Sequence, residues 1–314
     1  MSIFMFPGQA AQIQAPERAL VTTSTEHIYS AFDTVMQERY GIHNFSQTKI
    51  FSEDSSVTFN PSESQAANFV NSLARAIIEE EEKGRQCDVC VGDSAGEHSM
   101  IAFAGVHGDR KDPQTVRQGI EIMLNRGELY AQCRPNGEAP TRERPYTIMF
   151  VGIEKALLED AVAQIPPELG KAWVSKSNDA KSNGIGGEIL AVKFAADYLV
   201  REYDVPRRYC IPVLTDAPVH TPLMERARRG MEKTLAPVKF HQPNKKVIMM
   251  YSGKQETDPS KIKQCLTGII DTTADFNRSI VHAVSMGFKD VVLATVCKMY
   301  KKMIKRRKDV KPVD

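Results

Sequence analysis

Gly92-Asp93-Ser94-Ala95-Gly96 sets a serine between two glycines, each two residues away. The residues before it, Val89 to Gly92, form a short apolar run, and Glu97 to Val106 reads as a helix that follows almost at once. A strand, a tight turn and a helix around one serine are what a nucleophile elbow requires, because the glycines let a strained turn lift the hydroxyl clear of the backbone. The same position is a helix N-terminus, whose unsatisfied N–H groups favour a developing oxyanion. Small residues of this kind also make ordinary turns, and it is the strand-turn-helix setting that favours chemistry. A serine hydroxyl is a poor nucleophile without a base. Of the seven histidines, His220 stands out in the Pro-bounded loop Asp216 to Met224, where rigid backbone can hold an imidazole over a pocket. Taken alone, a loop histidine is more often a solvent-exposed polar residue.

These groups need elements to position them. Ser2 to Phe6 is an apolar run stopped by Pro7-Gly8, and helical periodicity follows over His27 to Arg39 and Ser64 to Lys83, the latter ending in the acidic run Glu79 to Glu82, read as a solvated helix end. After Cys133 the Pro-, Gly- and charge-rich stretch Arg134 to Arg144 reads as a linker. Beyond it come a strand at Tyr146 to Ile153, a helix at Lys155 to Gln164, strands near Trp173 and Ile189, a helix at Ala195 to Tyr203 and a strand at Tyr209 to Leu214. That βαββαβ order is the ferredoxin-like pattern. Strands at Val247 to Tyr251 and Val291 to Ala294 then resume the first pattern. The fold class expected is therefore α/β, with an α/β-hydrolase-like large domain at 1–135 and 208–314 and a ferredoxin-like small subdomain inserted at 136–207.

Composition bounds the function. The 314 residues are 42% hydrophobic with a net charge of +2, ordinary for a globular protein and far from the basic excess of a dedicated nucleic-acid binder. No apolar stretch approaches the roughly 18 residues that span a bilayer, and no signal-peptide pattern precedes Pro7, so a cytoplasmic protein without a membrane partner is expected. Six scattered cysteines fit reduced thiols. Cys87 and Cys90 form a CxxC spacing, but with no second cysteine or histidine pair they read as structural residues, and no metal is expected.

Four segments, FMFPGQAAQ (4–12), GDSAGEHSMIAFAGV (92–106), RGELYAQ (126–132) and APVHTPLM (217–224), resemble successive signatures of the malonyl-CoA:acyl carrier protein transacylase family, in the family's order and with an insert between the third and fourth. The resemblance implies Ser94 as nucleophile, His220 as general base and acid, and an oxyanion hole from the backbone N–H groups of Gln9 and Ala95. Arg126 corresponds to the residue that pairs with a malonyl carboxylate, a role suited to a planar, always charged guanidinium. The implied reaction is ping-pong. An acyl group, malonyl or a related carboxyacyl, passes from CoA to Ser94 and on to the phosphopantetheine thiol of an acyl carrier protein of fatty acid or polyketide biosynthesis. No cofactor is implied, since CoA is part of the substrate and the phosphopantetheine belongs to the partner.

This chain departs from the family pattern in several places. Asp93 stands where the family has histidine, and a carboxylate there either clamps Arg126 or repels a malonyl carboxylate. Asp275 falls where the family has a glutamine whose backbone carbonyl orients the histidine, so it offers its carbonyl or makes a Ser-His-Asp triad. The family's substrate-binding asparagine is displaced, with Asn178 nearest and Asn183 another candidate. The family's Gly-Pro-Gly turn near the C-terminus is replaced by a basic run, Lys298 to Lys311, with Met299, Tyr300, Met303 and Ile304 at near-helical spacing. That run reads as an amphipathic helix end or as a docking surface for an acidic carrier-protein helix. Two other functions stay open: a specialised transacylase or hydrolase acting on a non-malonyl acyl carrier protein, and a catalytically silent docking module.

Overall fold

Where the sequence alternates short apolar runs with amphipathic stretches, the chain alternates strands and helices. The computed structural model describes residues 2–8, 20–52, 59–213, 215–295 and 297–313. The body opens with β1 (Ser2–Phe6), α1 (Glu26–Tyr40), α2 (Pro61–Ile77), β2 (Val89–Gly92), α3 (Gly96–Phe103) and α4 (Pro113–Ala131). The middle of the chain forms β3 (Thr147–Val151), α5 (Lys155–Ala163), β4 (Ala172–Asp179), β5 (Ser182–Gly187), α6 (Ile189–Glu202) and β6 (Cys210–Val213). The body then resumes with α7 (Glu225–Leu235), β7 (Lys246–Met249), β8 (Lys254–Glu256), α8 (Pro259–Gly268), β9 (Ala274–Asp275), α9 (Phe276–Ser285), β10 (Asp290–Leu293), α10 (Lys298–Arg306) and β11 (Lys311–Pro312).

The body sheet runs β11-β10-β1-β2-β7-β8 and is parallel except for the β7–β8 pair. Its central strands β1 and β2 are near-continuous apolar runs because both faces are covered. Phe4, Phe6 and Cys90 face one core with α1 to α4, whereas Ile3, Met5, Val89 and Val91 face a second core with α9 and α10. Each large side chain buried this way contributes about 1.5–3 kcal/mol. Local signals set the helix starts: Asn60 and Glu63 close a capping box on α2, and the Asp112 carboxylate caps α4.

The small sheet runs β6-β3-β5-β4-β9, with the first four strands antiparallel in the βαββαβ order expected from the sequence. Strand pairing moves two boundaries. The layer continues through β6, past residue 207, and recruits β9 from the body as a parallel neighbour of β4. The second inner strand lies at Ser182–Gly187 rather than near Ile189, which opens α6. Its sequence SNGIGG lacks the β-branched run that marks a strand, and the neighbouring apolar residues belong to the helix, whose Ala191, Val192 and Ala195 fill the small core. The acidic run at 79–82 is also less solvated than expected, since Glu79 is buried and paired with Lys83 and Arg85.

Candidate active site

Ser94 sits where β2, between β1 and β7, hands over to α3, at the carboxyl end of the sheet where open α/β folds hold their ligands. Its φ is +53°, a left-handed backbone conformation costly for a residue with a side chain and sustained only where the surroundings fix it. The flanking glycines make the turn possible by close approach. A Cβ on Gly92 would come within 2.6 Å of the Glu97 backbone, and one on Gly96 would strike the carbonyl of Phe6.

His220 comes from the loop after β6, also with a left-handed φ of +62°. Its backbone N–H donates to the carbonyl of Ile270 at 3.1 Å, and Nδ1–H donates to the carbonyl of Ile269 at 2.7 Å. Both acceptors lie at the C-terminal end of α8, where the last carbonyls have no intrahelical partner. Because a carbonyl can only accept, the proton resides on Nδ1 and Nε2 is left bare. The Ser94 hydroxyl donates to that Nε2 at 2.8 Å, the geometry of a general base. Burial holds the imidazole pKa down to about 4, with the Ile269 bond opposing, the charges of Lys176 and Arg126 lowering it further and Asp93 opposing.

Asp275 plays neither role expected of it. Its carboxylate accepts the Arg278 N–H and caps α9, and the orienting carbonyl is that of Ile269. The expectation came from sequence order; the carbonyl that reaches Nδ1 lies at the end of α8, six residues earlier.

Arg126 is buried on the inner face of α4. Its guanidinium lies 4.3 Å over the Tyr130 ring, Nη1 donates to Gln65 Oε1 at 2.5 Å, and Nη2 comes within 3.4 Å of Ser94 Oγ. No carboxylate pairs with it among the described residues. Glu97 is nearby, but burial raises its pKa to about 8, which favours the neutral acid over the carboxylate; its Oε1 accepts the Met250 N–H at 2.6 Å.

Asp93 does not clamp Arg126. The Oδ2 of its fully buried carboxylate accepts from Lys176 Nζ of the small subdomain at 2.9 Å and from the Tyr300 hydroxyl of the body at 2.5 Å. Tyr300 Oη in turn accepts the Gly8 N–H at 2.7 Å. Neither Lys176 nor Tyr300 stood out in the sequence. Tyr300 lies within the basic run, where it reads as one apolar-face residue among several; the structure makes that run α10, with Tyr300, Met303 and Ile304 buried. Lys176 lies mid-strand, and only the strand's bulge brings it to the cleft.

The cleft between body and small sheet, about 60 Å³, is lined by Ser94, Tyr130 and His220 from the body, Thr147, Met149, Lys176 and Asn178 from the small sheet, and Met299 from α10. Of the two asparagines, Asn178 therefore reaches the site, whereas Asn183 donates to the Ile153 carbonyl at 2.8 Å and holds a turn. Ala95 is the N-cap of α3, and its N–H has no acceptor among the described residues. Gln9, the other expected oxyanion donor, lies outside the described residues. Cys87 and Cys90 are buried free thiols with sulfurs 3.3 Å apart, and no metal-holding cluster of His, Cys, Asp or Glu occurs among the described residues. Nor is any helix among them long and apolar enough to cross a membrane.

No family model matches the chain. Among solved structures, it superposes on an acyl-carrier-protein S-malonyltransferase from Bartonella henselae with a TM-score of 0.83 at 20% identity, over 99% of this chain and 94% of the other. An acyl carrier protein S-malonyltransferase from Vibrio cholerae gives 0.83 at 23% identity over 99% and 95%. A malonyl-transacylase in complex with its type II polyketide synthase acyl carrier protein gives 0.83 at 18% identity over 99% and 94%. Among curated proteins, a 6-methylsalicylic acid synthase from Aspergillus niger is 24% identical over 235 residues, which are 74% of this chain but only 12% of that far longer protein. The fold is thus the α/β acyltransferase fold of these malonyltransferases.

Proposed function

We propose that this chain is a serine acyltransferase that carries a malonyl group, or a related carboxyacyl group, from CoA to the phosphopantetheine thiol of an acyl carrier protein. The observation that carries the reading is a buried guanidinium with no carboxylate partner among the described residues, 3.4 Å from the oxygen of an activated serine. A buried cation is costly unless something anionic meets it. A carboxylate at the far end of a short acyl chain meets that need as its thioester carbonyl reaches Ser94.

Chemistry follows from the geometry. Ser94 Oγ attacks the thioester carbon while its proton passes to His220 Nε2, and the oxyanion takes the N–H of Ala95 and, by the resemblance, that of Gln9. The tetrahedral intermediate collapses, the carbon–sulfur bond breaks, and the His220 proton leaves with the CoA thiol. An acyl-Ser94 ester remains. A second thiol then gives its proton to His220, attacks the ester and takes the acyl group, and Ser94 recovers its proton. The fold likeness to a transacylase seen with its carrier protein supports a carrier-protein thiol as second acceptor. Exposed Lys298, Lys301, Lys302 and Lys305 on α10, beside the cleft residue Met299, suit an acidic carrier-protein helix and would act mainly on association rate.

The test is intact-protein mass spectrometry after brief incubation with malonyl-CoA or acetyl-CoA, with Ser94→Ala as control. The proposal expects a malonyl adduct that is absent in the variant and is discharged by a carrier protein bearing phosphopantetheine. Labelling that survives in Ser94→Ala, or equal labelling by both CoA esters, would contradict it.

A further inference from the structure

The carboxylate of Asp93 is the feature of this site least expected beside a cleft for an anionic acyl chain. It is adjacent to the nucleophile and cannot move away: its backbone N–H donates to Phe6 and its carbonyl accepts from Gly96, both at 2.9 Å. Its side chain has no exposure to solvent. An unneutralised anion there would compete with a substrate carboxylate for Arg126 or repel it.

We propose that Lys176 and Asp93 form a specificity-determining pair, in which Lys176 cancels the charge beside the nucleophile and so reserves Arg126 for the carboxylate of the acyl group. This rests on the transferase reading above. Lys176 comes from the small subdomain, and its side chain is 16% exposed. The pairing of β4 with β5 shifts register between Val174 and Lys176, and this bulge lets two consecutive residues, Ser175 and Lys176, both line the cleft. Tyr300 adds a hydroxyl to the same carboxylate oxygen from α10. Two separate parts of the chain, β4 and α10, thus converge on Asp93, and one net positive charge, that of Arg126, remains for the substrate.

The pair also bears on the base. Lys176 and Arg126 both hold the His220 pKa down, while Asp93 opposes them. An acyl carboxylate on Arg126 offsets one of the two cations, so His220 becomes a stronger base when the bound acyl group is charged than when it is not. Lys176 acts through Asp93 and Arg126 and is a positioning residue in this sense.

The experiment measures kcat/KM for CoA release with malonyl-CoA and acetyl-CoA in wild type, Lys176→Met, Lys176→Arg and the double variant Asp93→Asn/Lys176→Met. Lys176→Met exposes the Asp93 charge, and the malonyl-to-acetyl ratio falls by about tenfold or more, tenfold being the effect of one unpaired charge about 12 Å away at an effective dielectric of about 20, and a nearer charge having a larger effect. Lys176→Arg keeps the ratio, and the double variant, which removes both charges, restores it to within a few-fold of wild type. An unchanged ratio in Lys176→Met, or a double variant as impaired as Lys176→Met, overturns the pair while leaving the transferase reading intact. Should Lys176→Met fail to fold, the double variant decides, since it carries no unpaired charge: a ratio far below wild type refutes the pair. Wild type that forms no acyl-Ser94 from either ester overturns the transferase reading itself, and the pair with it.

Discussion

Lowering the pH tests the environment of His220 directly, because catalysis needs the bare Nε2 and protonation removes it. Burial, reinforced by Lys176 and Arg126 and opposed by the Ile269 bond and Asp93, sets its pKa at about 4 rather than the ordinary 6.5. At pH 5.5 a histidine with a pKa of about 4 is about 97% neutral, whereas one near 6.5 is only about 9% neutral, so the two cases differ roughly tenfold in active enzyme. The assay is stopped-flow release of the CoA thiol from malonyl-CoA between pH 4 and 8, with kcat/KM reporting the free enzyme. A rate flat down to about pH 5 is expected. The same burial costs stability. The folded pKa lies below the unfolded one, so the unfolded chain binds the proton first as pH falls from 6.5 to about 4. Stability therefore decreases across that window, by up to about 3 kcal/mol. Far-UV circular dichroism at each pH separates this loss from the titration of the base. A kcat/KM limb centred near 6.5 in folded protein would refute the assignment of a buried, desolvated base.

Three further outcomes are expected. Arg126→Ala removes the unpaired guanidinium and should depress kcat/KM for malonyl-CoA by a factor of order a hundred, the loss of one charge-assisted bidentate pair of about 3 kcal/mol, with far less effect on acetyl-CoA; steady-state kinetics with the two esters reads this. Asp275→Ala should cost about 1 kcal/mol in urea unfolding through loss of the α9 cap and leave acylation of Ser94 unchanged, because Ile269 holds His220. Glu97 is favoured in its protonated form by the fold, so its contribution is fully present below pH 4.5 and is lost as pH rises through about 8. Glu97→Gln mimics that neutral form, and its stability relative to wild type should rise by roughly 4 kcal/mol between pH 5 and pH 9 in urea titrations.

How much of this was legible beforehand follows from the range of the forces involved. The elbow at Ser94 is written within a few consecutive residues, since glycine sterics, a short apolar run and the start of a helix are local properties. The βαββαβ order of the small subdomain was legible for the same reason, although the glycine-rich β5 hid its place behind the apolar start of α6. His220 was legible as a candidate from its Pro-bounded loop, and Arg126 from the motif around it. Their states were not. That Nδ1 of His220 meets Ile269, 49 residues away, depends on where α8 ends in space. Asp93 finds Lys176 across 83 residues and Tyr300 across 207, and nothing in the sequence near any of the three announces the others. Which groups could react is legible along the chain, because backbone strain and side-chain chemistry are local. Which charges are cancelled and which cation is left for a substrate emerges with folding, because electrostatic partners are chosen by packing between elements far apart in the chain.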